Sequence, residues 1–149
     1  MSTPHSIALK TATVLWIIWG LVHMLAGYIV LSSDAAGGFQ AIADEVDPGL
    51  LEADYHEAVG GILNQHGWNL GWGGLATLIG GLFIWRANKT AIWVTAMVGG
   101  LLDVGYFAFV DLPGYVNFVP GTVMTLVSGS AILLTAWVYF THDWDGAAA

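Results

Sequence analysis

Four stretches of this chain stay apolar for about the length of a membrane crossing, and polar residues gather between them. They cover residues 11–31, 67–85, 91–110 and 116–140. His23 interrupts the first and Asp103 the third, while the second and fourth carry no charge. A spanning helix needs about 20 predominantly apolar residues. Helices around a soluble core keep a polar outer face, and these stretches have none. The pattern predicts an all-α fold, a four-transmembrane-helix bundle of antiparallel, up-down topology, in one domain over residues 1–149. Helices are expected at about 10–32, 57–86, 90–110 and 116–141, the last starting near residue 121 if Pro120 breaks its first turn.

The connections are unequal. Residues 33–56 form the long outer loop, with an amphipathic stretch at 39–46, a breaker at Asp47-Pro48-Gly49 and a second short stretch at 50–55. Phe39, Ile42, Leu50, Leu51 and Tyr55 suit a loop lying on the membrane surface or capping the bundle. Ala87-Asn88-Lys89 makes a tight turn, so the helices on either side are antiparallel neighbours. Residues 1–9 read as a short tail. Residues 142–146 read as a polar tail, followed by three alanines. At the start of the second helix, Tyr55-His56-Glu57 places a carboxylate where the helix dipole favours it.

Charge adds sidedness. Only 9% of residues are charged, against about 25% in soluble domains. The three basic residues, Lys10, Arg86 and Lys89, fall at one end of the predicted helices. The positive-inside rule makes that end cytoplasmic, with both termini inside a bacterial or archaeal cell membrane. Most of the acidic residues take the other side. The net charge of -8 gives no reason to expect a nucleic-acid partner, which needs basic patches. Lys10 before an apolar run resembles a signal peptide, but the run is longer than a signal core, so a retained first span is expected. There is no cysteine, which excludes disulfides and thiolate metal sites.

Small and aromatic residues permit two uses. Gly20 and Gly27 recur at helical spacing on the first helix, and Gly67, Gly71 and Gly74 on the second. Such residues let membrane helices approach closely or leave room for a flat ligand. Trp16, Trp85, Trp93, Trp137 and Trp144 suit interfacial belts. Trp19, Trp68 and Trp72 lie deeper and suit a pocket wall.

The informative residues are those that are costly in lipid. With about 1.5 Å of rise per residue, His23 and His66 lie about 13 Å below the outer boundary and Asp103 about 12 Å. Thr125 falls at a similar depth, with Tyr106 and Ser128 within a turn. Asn64, Gln65 and Asn69 flank His66. Turned inward, these residues make a polar pocket in the outer half of the membrane.

The pocket permits several chemistries. His23, His66 and Asp103 suit acid–base catalysis on a small hydrophobic ligand. Trp19, Asn64, Gln65, Trp68, Asn69, Trp72, Tyr106, Thr125 and Ser128 are then candidate ligand contacts. In an alternative reading His23 and His66 hold haem b or, with Asp103, a divalent metal, as in a redox or accessory subunit. A purely structural subunit of a homo-oligomer or larger membrane complex is the third reading. No phosphate-binding glycine loop, nucleophile elbow, His-Glu-x-x-His or Glu-x-x-His pair is present.

Two segments resemble a known family. Trp16-x-x-Trp19-Gly20-Leu21-Val22-His23-x-x-x-Gly27-Tyr28 is similar to the first core helix of the EXPERA-type, emopamil-binding membrane proteins. Asp103-Val104-Gly105-Tyr106-Phe107 looks like the Asp-x-x-Tyr-Phe stretch of their third. The resemblance covers about a third of the chain. It implies four spans and a membrane pocket that binds flat apolar molecules or moves protons on them, with His23, Asp103 and Tyr106 as pocket residues. The sterol isomerases of that family carry a carboxylate one turn after the first-helix histidine. Met24-Leu25-Ala26-Gly27 stands there in this chain. Their second core helix carries a glutamate, where this chain has Asn64-Gln65-His66.

Overall fold

The structure, a computed structural model, describes residues 1–144. The end of the predicted polar tail, Asp145 and Gly146, and the three alanines lie outside the described residues. Among the described residues all regular structure is helical.

Helix α1 spans Thr3–Ser32. It begins earlier than the sequence suggests and absorbs most of the expected tail. Ser2 caps it by accepting from the His5 N–H, and Pro4 occupies the first turn, where its missing N–H costs nothing. Helices α2 (Ala35–Gln40) and α3 (Pro48–Leu51) are short and follow. Both correct the sequence reading. The expected stretch at 39–46 is helical only in its first residues, because Asp34 caps the chain earlier, accepting from the Gly37 N–H at 2.8 Å. Asp47-Pro48-Gly49 starts a helix rather than only breaking one, with Asp47 as its cap and Pro48 in its first turn.

Helix α4 spans Glu57–Trp85 and is capped by the His56 ring, which accepts from the Ala58 N–H at 3.1 Å. Helix α5 spans Lys89–Tyr106 and runs on through a wide π-type turn, Phe107–Asp111. A second wide turn, Phe118–Thr122, precedes α6, Val123–Thr141. Pro120 does interrupt this entry: Val119 has non-helical φ/ψ, and the regular helix starts only at Val123.

Among the described residues three helical stretches are long and apolar enough to cross a membrane: Thr3–Ser32, Lys89–Asp111 and Phe118–Thr141. The 29 residues of α4 give it the length. Its glycines, its tryptophans and the polar Asn64, Gln65, His66 and Asn69 lower its mean hydropathy below theirs.

The four long helices pack in a ring. Helix α1 lies against α4 and α6, and α5 completes the circuit by touching both of those. The α1–α4 seam is the tightest. A Cβ on Gly20 would stand 2.6 Å from the Gly74 carbonyl oxygen, and one on Gly27 would stand 2.5 Å from that of Gly67. The backbones themselves are in contact, so these glycines pack helices and leave no ligand space between them. Ascending numbers on α1 meet descending numbers on α4, which makes the pair antiparallel. Thr13 extends the seam by donating to the Gly81 carbonyl at 3.0 Å.

Trp16 and Trp19 fill the centre of the ring. Trp16 is 0% exposed, which corrects its expected place in an interfacial belt. It packs against Gly99 of α5, which leaves room for the indole. Trp85, Trp93 and Trp137 are exposed on the outside of the ring.

The long connection folds over one end. The Glu45 N–H donates to the Tyr115 carbonyl at 3.0 Å, and the Asn117 N–H to Asp44 Oδ1 at 2.8 Å. These bonds tie the first connection to the last, so α2 is held over the mouth of the ring.

Candidate functional site

The site starts with two residues one turn apart on α1. Trp19 and His23 stack with ring centroids 3.5 Å apart. His23 Nδ1 lies 2.8 Å from the Trp19 carbonyl oxygen. A carbonyl can only accept, so Nδ1 carries a proton. The Nε2 of a neutral ring is then the acceptor.

Nε2 faces Asp103. This carboxylate, on α5, is only 4% exposed. Its Oδ2 accepts from Trp19 Nε1 at 2.9 Å and from the Ser128 hydroxyl of α6. Its Oδ1 stands 3.8 Å from His23 Nε2. Three helices therefore converge on one carboxylate, with one oxygen saturated and the other turned to the imidazole. Two lone pairs facing each other repel, so this contact is favourable only when the pair holds a proton on His23 or on Asp103. At 3.8 Å the two atoms are beyond direct hydrogen-bond range.

Beside the pair lies a cavity of about 420 Å³. Its walls come from α1, α4, α5, α6, the two wide turns and the segment after α2. Its polar members are His23, His66, Asp103 and Tyr106, and the rest of the lining is apolar apart from backbone. His66 Nε2 is buried with no hydrogen-bond partner. The Tyr106 hydroxyl sits at Gly121, 3.2 Å from where a Cβ there would be. Phe109, 78% exposed, lies at the lip.

The residues singled out in the sequence divide accordingly. Trp19, His23, Asp103 and Ser128 form one connected group, and His66 and Tyr106 share its cavity. Asn64 and Gln65 are exposed and do not line it. Trp68 is 64% exposed, and Trp72 turns outward and donates to Asn69 Oδ1 at 3.1 Å. Neither tryptophan is a pocket wall, and Asn69 serves Trp72. Thr125 lends its carbonyl to Ser128 at 3.1 Å, while its own buried hydroxyl has no partner.

Sequence reasoning did not place Ala41, Pro120 and Gly121 at the cavity, which they line. Pro120 was visible as a helix breaker, and a broken helix end beside a polar layer is the signal that marks such a lining.

Among the described residues no group of three or more His, Asp or Glu side chains is placed to hold a metal ion. Both ring nitrogens of His23 are already directed, one to Trp19 and one to Asp103.

Comparison with family models, with curated proteins and with solved structures finds no match for this chain.

Proposed function

We propose that this chain crosses a membrane four times, with α4 as the fourth span, and binds a small hydrophobic molecule in the cavity beside His23 and Asp103. The observation that carries the reading is the cavity itself: apolar walls that end on a histidine–carboxylate pair. Its volume falls within the roughly 300–1,000 Å³ of small-molecule sites. The connection over its mouth and the outward-facing apolar residues suit a ligand drawn from the bilayer.

The chemistry open to such a site is proton transfer. His23 Nε2 takes a proton from one atom of the bound molecule, and the pair returns a proton to another, leaving the composition unchanged. Asp103 stabilises the imidazolium formed in between. Saturation of Oδ2 by Trp19 and Ser128 holds Oδ1 toward the histidine. Membership of the EXPERA group belongs to this proposal and rests on residues 16–28 and 103–107 alone.

The test is ligand retention. Protein purified in mild detergent from its own membrane should carry a non-phospholipid small molecule into native mass spectrometry. His23→Ala, His66→Ala and Asp103→Asn should each lose it. Unaltered retention in all three variants overturns the proposal.

One observation favours a second reading. His66 Nε2, buried without a partner, shares the cavity with His23, and ligation of haem b or a metal by the two would require His23 Nε2 to turn from Asp103. A visible spectrum with a Soret band after haem supplementation supports it, and a featureless spectrum with no bound metal removes it.

A further inference from the structure

A second groove lies at the opposite end of the α1–α4 seam, away from the His23–Asp103 pair. It has a volume of about 430 Å³ and is lined by Thr13, Ile17, Leu82, Phe83, Trp85 and Arg86. Lys10 stands beside it, its ammonium 5.4 Å from the centre of the Trp85 ring. We infer that this groove binds one anionic phospholipid, with its phosphate at Lys10 and Arg86 and an acyl chain along Ile17 and Leu82.

The charge is distributed as such a ligand requires. Lys10, Thr13 and Ile17 recur at helical spacing along one face of α1, and Arg86, the C-cap of α4, follows Leu82 by four residues. Both cations therefore sit at the same end of the groove. From Lys10 to Ile17 the helix rises about 10 Å, and that length is apolar on both walls. Thr13 is not a free polar group, because its hydroxyl is spent on the Gly81 carbonyl. The floor thus offers nothing to a water-soluble anion beyond the two charges. A flexible hydrocarbon chain would cover Leu82 and Phe83, which are exposed here.

The local chemistry matches each part of a lipid. A guanidinium binds phosphate oxygens through paired donors. Trp85 sits where an indole marks the headgroup level. Basic pockets between spans at the cytoplasmic side attract anionic headgroups. Lys89, the remaining basic residue, does not line the groove and lies over the Tyr139 and Trp144 rings instead. The inference rests on the four-span reading and is independent of the ligand in the first cavity.

The experiment is native mass spectrometry of the detergent-solubilised chain with equal amounts of phosphatidylglycerol and phosphatidylcholine. The wild-type chain should hold one phosphatidylglycerol in preference. Lys10→Gln and Arg86→Gln should each lower that preference roughly fivefold, and together roughly twentyfold to thirtyfold. Lys10→Arg, which keeps the charge, should keep it, as should Lys89→Gln, which excludes a general loss of fold. Equal uptake of both lipids by the wild type, or undiminished preference in the double glutamine variant, overturns the inference. Displacement of the lipid by millimolar inorganic phosphate overturns it too, since the ligand would then be a soluble anion. Recovery of the chain in the aqueous fraction without detergent removes the spans on which it rests, and is read separately from lipid preference.

Discussion

Trp19 and Asp103, 84 residues apart in sequence, are joined by a hydrogen bond of 2.9 Å from the indole Nε1 to Oδ2. This bond and the one from Ser128 are what hold the buried carboxylate in place. Trp19→Phe keeps a ring beneath His23 and removes the donor. It should cost about 1–2 kcal/mol of stability, read as the thermal unfolding midpoint in detergent. Ser128→Ala should cost a similar amount. Both donors serve the same oxygen, so the double variant should lose more than the sum. Strict additivity would show that the two donors support Oδ2 independently.

Gly27 and Gly129 make opposite predictions from the same substitution. A methyl group on Gly27 meets the Gly67 carbonyl oxygen at 2.5 Å, and backbone cannot move aside. Gly27→Ala should destabilise the chain by about 2 kcal/mol or more through overpacking. Nothing lies within 4 Å of a methyl on Gly129, so Gly129→Ala should leave the stability within about 0.5 kcal/mol of wild type. Similar midpoints for the two variants would contradict the close α1–α4 seam.

Much of the site was legible in the sequence, for a physical reason. His23 and Asp103 stand out because ionisable residues are rare in apolar runs, and rise per residue was enough to give them one depth. Which way a residue faces was not legible. In a membrane helix both faces are apolar, so periodicity cannot separate the lipid side from the packed side. Trp16 and Trp68 show the consequence, one expected outside and found in the core, the other expected in the pocket and found exposed. Helix α2 was misplaced for a different reason. Ala35-Ala36-Gly37-Gly38 has poor intrinsic helix propensity at its glycines, and the Asp34 cap and the bonds to the last connection offset that deficit.

Gly105 lines the cavity, and nothing lies within 4 Å of a Cβ added there. Gly105→Leu should therefore fill ligand space without straining the fold. The expected result is loss of the co-purifying molecule with an unfolding midpoint near wild type. Retained ligand in this variant would place the binding site elsewhere.

The chain contains no cysteine, so single introduced cysteines report sidedness without background. Asp54→Cys, before α4, should react with a membrane-impermeant maleimide in intact cells. Asn88→Cys, after α4, should react only once the membrane is opened. Labelling of both positions from outside would mean that α4 does not cross.

The central claim is that the space beside His23 and Asp103 is a binding site. An experimental density map of the protein purified from its own membrane tests it most directly. The account predicts non-protein density in the cavity, with a polar atom within about 3.2 Å of His23 Nε2 or Asp103 Oδ1 and an apolar body toward Leu102 and Met124. A cavity closed by side chains, or occupied by water alone, would contradict it.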